Sequence, residues 1–209
     1  MFENKIYNMS SKLNIIMGPM FSGKTTKLIS QYNKNKLNNI PTMVINYSED
    51  NRYSDTKLSS HDMVEIPCLK LTKLSEIYLH LNNFITTPST FNIRYILINE
   101  GQFFSDLYDV IYDILSINNL IIIVGGLDGD YEMKKFGQIL DIIPLANHIE
   151  KLHATCYKCG NPAYFTMRTI AEKKQKIIGT NDIYSPTCRN CHNKKLLKKA
   201  LPKKKLLFC

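Results

Sequence analysis

The sequence predicts an α/β protein: a P-loop parallel sheet flanked by helices, with a small cysteine-tied lasso domain appended. Three observations predict it. Short, uniformly apolar runs alternate with helical stretches up to about residue 150, the pattern of strands buried on both faces. Between the first such run and the first helical stretch lies Gly18-Pro19-Met20-Phe21-Ser22-Gly23-Lys24-Thr25. From about Lys151 cysteines come in pairs, apolar runs shorten, and Lys and Arg become frequent. The expected division is an α/β nucleotide-binding domain over 1–150, a metal-binding lasso over 151–195 and a basic tail over 196–209.

In chain order, residues 1–12 are polar and lack the apolar core of a signal peptide, which points to a cytosolic protein. Residues 13–17 form a short buried strand, and the helix after the glycine-rich loop fades in the Asn- and Lys-rich 33–39. A second strand is expected over 42–47 and a polar loop over 48–60. A helix over 69–84 is predicted by the period of Leu71, Leu74, Ile77, Tyr78 and Leu81. Residues 94–100 read as a strand ending in polar residues, 107–115 as a helix, and 120–124 as a buried strand closed by Gly125-Gly126. Ligands of parallel sheets gather at the carboxyl ends of strands. The glycine-rich loop, Asn99-Glu100 and residues 125–129 all fall at such ends.

A length of 209 residues suits one core with a small appendage. No apolar run approaches the roughly 20 residues of a membrane span. The formal charge of +9 comes largely from Lys194-Lys195, Lys198-Lys199 and Lys203-Lys204-Lys205. A terminal run of that kind reads as a solvated tail, so a nucleic-acid partner is not expected. In a reducing compartment the six cysteines argue for metal ligation or free thiols rather than disulfides.

Two glycines separated by four residues and followed by Lys-Thr, between a strand and a helix, make a phosphate-binding loop. Its amides and the helix N-terminus face an anion. Residues Gly18, Pro19, Met20, Phe21, Ser22, Gly23, Lys24, Thr25 and Thr26 are the phosphate-binding set. Lys24 would reach the β- and γ-phosphates of a nucleoside triphosphate, and the Thr25 hydroxyl would ligate its magnesium. The other reading is a glycine turn that matches by accident. Cys156-Tyr157-Lys158-Cys159 and Cys188-Arg189-Asn190-Cys191 are two hooks whose four thiolates suit tetrahedral zinc. A closed four-sulfur site leaves no open position, so the zinc is structural and clasps the long loop between the hooks. Two redox or free-thiol pairs are the alternative. His192 reads as an exposed spectator and Cys68 as core.

Together these stretches resemble the zinc-containing thymidine kinases, a family distinct from the herpesviral type. The likeness runs from about residue 13 to 195. It rests on Gly-Pro-Met-Phe-Ser-Gly-Lys-Thr-Thr, on 47–53 with the following His61-Asp62, and on Glu100-Gly101-Gln102-Phe103-Phe104. Leu127-Asp128-Gly129, Phe136-Gly137, and Ile178-Gly179 through Asp182 to Tyr184 complete it. The resemblance implies transfer of the γ-phosphoryl of ATP to the 5′-hydroxyl of thymidine or deoxyuridine. It implies Glu100 as general base, Arg52 as a clamp on phosphate or the 5′-oxygen, and Asp50 supporting Arg52 or the sugar. The nucleoside slot would be walled by Met20, Phe103, Leu127, Tyr131, Phe136 and Tyr184, with Thr166 nearby. Backbone groups of Ile177, Ile178 and Gly179 would read the pyrimidine edge, and the zinc-tied loop would act as a lid. A homotetramer and feedback inhibition by thymidine triphosphate (dTTP) are also implied.

The sequence departs from the family at Asn99, where an Asp normally holds magnesium. The loss of a negative charge predicts weaker magnesium binding. Tyr131 stands where Phe is usual, Lys27 where an acid is common, and Thr180-Asn181 where small residues are. Two competing readings are a nucleic-acid-stimulated ATPase and a nucleotide-binding regulator without turnover.

Overall fold

The structure is a computed structural model that describes residues 10–48, 56–60, 62–85, 93–117, 119–170, 174–175 and 183–200. Its elements, in chain order, begin with β1 (Lys12–Met17), α1 (Lys24–Leu37), β2 (Thr42–Tyr47), β3 (Lys57–Ser59), β4 (Glu65–Pro67) and β5 (Leu69–Leu71). There follow α2 (Ile77–Ile85), β6 (Tyr95–Ile98), α3 (Leu107–Ile114), β7 (Ile121–Gly126) and β8 (His148–Lys151). The last are β9 (Ala154–Thr155), β10 (Pro162–Ala163), β11 (Phe165–Arg168), β12 (Tyr184–Thr187) and α4 (Arg189–Ala200).

Six strands form one sheet in the order β5-β2-β6-β7-β1-β8, every pairing parallel. Because side chains alternate along a strand, the apolar runs serve two cores. Ile45, Ile96, Ile98, Ile122 and Val124 pack with Ile77 and Leu81 of α2 and with Leu107, Val110, Ile111 and Ile114 of α3. Val44, Leu97 and Ile123 face the other way, onto Leu28 and Ile29 of α1 and onto Leu58 and Ile66 of the β3–β4 hairpin. Each such side chain, fully buried, contributes about 1.5–3 kcal/mol of transfer free energy. Among the described residues no helix is long and apolar enough to cross a membrane.

Two local expectations are corrected. Part of the polar 48–60 stretch is the strand β3, which pairs antiparallel with β4 and puts Leu58 opposite Ile66. Leu69–Leu71 is not the start of a helix but an edge strand paired with β2. Leu71 fits the helical period of Leu74 and Tyr78, but it also shares a strand face with Leu69 two residues before it, and a free sheet edge decides for the strand. Helical structure starts at Leu74 and is capped from a distance. The Asp106 carboxylate accepts the backbone N–H of Leu74 (3.0 Å) and of Ser75 (2.9 Å). Partial burial opposes that charge, but these bonds outweigh it and hold the carboxyl below its ordinary range.

Lys151 is the last residue of β8 and pairs with Met17 of β1. Beyond it lie two antiparallel ribbons, β9 with β10 and β11 with β12. Ala154, Cys156 and Ala163 are buried there, with Cys188 and Cys191 packed against them.

Candidate active site

The loop after β1 is shaped by two glycines. Gly23 is left-handed (φ 85°, ψ 15°) and starts α1 at Lys24, a helix with no acid in its first turn. Its N-terminal partial charge is therefore available to an anion. Gly18 has φ 149°, and a Cβ there would lie 2.6 Å from the Leu152 carbonyl oxygen. Lys24 Nζ donates to the carbonyls of Gly18 (3.0 Å) and Pro19 (2.6 Å), and Ser22 Oγ donates to Pro19 (2.9 Å). The Met20 N–H donates to Thr166 Oγ1 (3.0 Å), which joins the loop to β11.

Two strands away, the end of β6 meets this helix. Thr25 Oγ1 donates to Asn99 Oδ1 (3.2 Å), and Asn99 Nδ2 donates to Asn46 Oδ1 (2.9 Å) near the end of β2. Asn46 and Asn99 are buried, so a chain of neutral groups runs from the loop across the sheet. Lys27, the basic departure, pairs with Glu150 of β8.

Glu100 follows in the left-handed region (φ 55°, ψ 40°), unusual for a residue with a side chain and typical of functional sites. Its Oε2 accepts a bond from Gln102 Nε2 at 2.5 Å, while Gln102 Oε1 accepts the Leu127 N–H at 2.9 Å. Phe103 lies 5.2 Å from the Tyr47 ring and 5.5 Å, edge-on, from Phe136. Leu127 is buried.

Tyr131 and Tyr184 meet around a residue that motif reading did not single out. Arg168 is 3% exposed, and its guanidinium carbon sits 3.9 Å from the centre of the Tyr131 ring. Nη2 donates to Tyr184 Oη (2.7 Å) and to the Gln175 carbonyl (2.9 Å), and Nη1 donates to the Lys174 carbonyl. Gln175 in turn donates to Asp130 Oδ2 (2.7 Å). The other Asp130 oxygen accepts the N–H groups of Glu132 and Lys134, which fixes the turn carrying Tyr131. The only signal for Arg168 in sequence was its parity with Thr166 along β11.

His192 is not an exposed spectator. It is 1% exposed, and its Nε2 donates to the Tyr131 carbonyl at 3.0 Å. Its ring also packs edge-on beside that of Phe165 in β11, centroids 6.1 Å apart. Arg52, Asp50, Ile177, Ile178 and Gly179 lie outside the described residues.

The sulfurs of Cys156, Cys159, Cys188 and Cys191 all lie within 4.8 Å of one another, with Cys159 and Cys188 3.6 Å apart. A tetrahedron of sulfurs at zinc bond length has edges of about 3.8 Å, so the four residues fit a metal such as zinc. Burial opposes ionisation of Cys156, but backbone N–H groups of Cys188, Lys158 and Cys159 outweigh it and bring the thiol down to about 6. Hydrogen bonding to Cys159 and Cys188, with burial, pushes Cys191 up to about 12. A site in which the Cys156 thiol ionises easily and the Cys191 thiol resists is one that a divalent cation would complete.

A thymidine kinase family model matches residues 11–192. The chain belongs to the thymidine kinase family. It is 39% identical over 179 residues to the thymidine kinase of Oryza sativa subsp. japonica, covering 85% of this chain and 65% of that protein. It is 36% identical to thymidine kinase a of Arabidopsis thaliana, spanning 74% of it. Over 180 residues it is 38% identical to the thymidine kinase of Variola virus, covering 86% of this chain and 96% of the viral one. Against the plant relatives the chain thus spans only part of the longer protein. Against the viral relative of this kinase family it spans nearly all.

Proposed function

We propose that this chain transfers the γ-phosphoryl group of ATP to the 5′-hydroxyl of thymidine, and of deoxyuridine, giving the nucleoside monophosphate for DNA precursor salvage. The observation that carries the reading is the position of Glu100. It directly follows Asn99, whose side chain is bonded to Thr25 of the phosphate loop.

The loop amides and the α1 N-terminus bind the phosphates, and Lys24 exchanges its carbonyl partners for phosphate oxygens. Glu100 accepts the proton of the 5′-hydroxyl as that oxygen bonds to the γ-phosphorus. The bond to the β–γ bridging oxygen breaks, and ADP departs with its electron pair. Arg52 stabilises the charge on the transferring group. Magnesium arriving with ATP would be held by Thr25 and Asn99, and it supplies neutralisation of the phosphate oxygens. Met20, Phe103, Leu127, Tyr131, Phe136, Thr166 and Tyr184 enclose the nucleoside, with Asp50 at the sugar and the backbone of 177–179 at the pyrimidine edge.

The four cysteines would hold a structural zinc that cinches the base of the loop over 151–195, and that loop would act as a lid that excludes water from the reaction. Cytoplasmic residence, a homotetramer and inhibition by dTTP belong to the same reading, supported by the family resemblance. The test is ADP release with ATP and magnesium, with thymidine present or omitted, and Glu100→Ala as control. Thymidine-dependent turnover lost in the variant is the expected result. Hydrolysis indifferent to thymidine and stimulated by single-stranded DNA would overturn it.

A further inference from the structure

We infer that Gln102 is a positioning residue for phosphoryl transfer, holding the Glu100 carboxylate in one plane and linking it to the nucleoside slot at Leu127. The inference rests on the reading of Glu100 as general base. Gln102 is 3% exposed, and both ends of its amide are engaged. Nε2 donates to Glu100 Oε2 at 2.5 Å, and Oε1 accepts the Leu127 N–H at 2.9 Å. Only one orientation of the amide satisfies both neighbours. Reversed, an oxygen would face the carboxylate oxygen and an NH₂ would face an N–H.

The surroundings leave the residue no room to relax. A Cβ on Gly126 would stand 2.7 Å from Gln102 Oε1, and one on Gly137 would stand 2.0 Å from the Gln102 carbonyl oxygen. Gly137 also has φ +59°, so both steric space and backbone conformation keep it glycine. On the other side, the left-handed Glu100 starts a tight turn over Gly101–Phe103, with the Phe103 N–H donating to the Glu100 carbonyl at 3.0 Å. Two residues apart in such a turn, the carboxylate and the amide meet on one side.

A charge-assisted bond to a buried donor is both directional and strong, and it stops the carboxylate from rotating. A general base must meet its proton within a narrow range of distance and angle. Because one amide also holds the Leu127 backbone, a nucleoside pressing on Leu127 is registered against the group that will take its proton.

The test uses the full chain loaded with zinc, first as wild type and as Glu100→Ala, then as Gln102→Glu. The replacement keeps an acceptor for the Leu127 N–H and the same side-chain length, but puts a second carboxyl against Glu100, where the two would share a proton. Gln102→Met, uncharged and of nearly the same length, is therefore measured beside it. The proposal expects kcat to fall by about tenfold or more in both, with KM for ATP within about twofold, since ATP binding is kept. A smaller loss of kcat in Gln102→Met would overturn it.

Zinc content and melting temperature report whether each variant folds. If one of the two does not, the other decides by the same criterion. A wild type with no thymidine-dependent turnover, or turnover that survives Glu100→Ala, would instead overturn the underlying reading of Glu100.

Discussion

Replacing Arg168 with Met keeps most of the buried volume and removes the charge and its donors. The cost can be assembled from its contacts. The bond to Tyr184 Oη is buried and made by an ionised donor, a class worth about 1.5–3 kcal/mol. The carbonyls of Lys174 and Gln175 belong to exposed residues that water can serve, so together they add about 1 kcal/mol. Stacking on Tyr131 at 3.9 Å adds about 0.5–2 kcal/mol. The sum, about 3–6 kcal/mol, corresponds to a melting temperature lowered by about 10–15 °C in a protein of this size. Arg168→Lys keeps the charge but not the fork, and falls between. The assay is a thermal melt followed by circular dichroism, paired with steady-state kinetics. KM for thymidine should rise while KM for ATP stays, because Tyr131 and Tyr184 lose their common support. A Met variant that melts within about 2 °C of wild type, with an unchanged thymidine KM, would refute the ledger and the role together.

Other substitutions test separate parts of the molecule. Asn99→Asp restores a negative charge beside Thr25 and should lower the magnesium concentration for half-maximal turnover; Asn46 must then turn its NH₂ toward the new carboxylate. Equal magnesium titrations for both proteins would remove Asn99 from the metal site. Cys188→Ser should abolish stoichiometric zinc, measured with a chromogenic chelator after unfolding, and thymidine turnover with it. Asp106→Ala removes the cap on Leu74 and Ser75 and should cost about 1 kcal/mol, or roughly 3 °C in melting temperature. The Asp106 carboxyl is depressed in the folded state, so its contribution is complete above the unfolded value near about 3.9 and disappears as pH falls through the lower folded value. The difference between wild type and variant should therefore be flat from neutrality down to about pH 5 and shrink below about pH 4.

The phosphate loop and the cysteine hooks were legible because each is a local pattern whose spacing already carries its chemistry. The buried strands were legible because a parallel sheet covered on both faces demands uninterrupted apolar runs. What was not legible is long-range or ambiguous in period. Leu71 fits a helical period with Leu74 and a strand period with Leu69, and only the pairing with β2 settles which holds. His192 looks like any polar residue beside a metal hook until the turn bearing Tyr131 is brought over it. Arg168 reads as a surface cation, since nothing local announces two tyrosines from distant segments closing on it. Gln102 lay inside a recognised motif, but its task depends on Leu127, 25 residues further on.

The strand order has a consequence for how the chain is born. β1 is made first yet sits between β7 and β8, pairing with both. The Leu152 N–H that bonds Met17, just ahead of the phosphate loop, comes later still. On the ribosome, the segment Lys-Leu-Asn-Ile-Ile-Met therefore waits with both hydrogen-bonding edges bare until the partner strands emerge. Bare apolar edges are what chaperones hold and what aggregates recruit. A chain halted before residue 152 would carry the phosphate-loop sequence without the framework that shapes it.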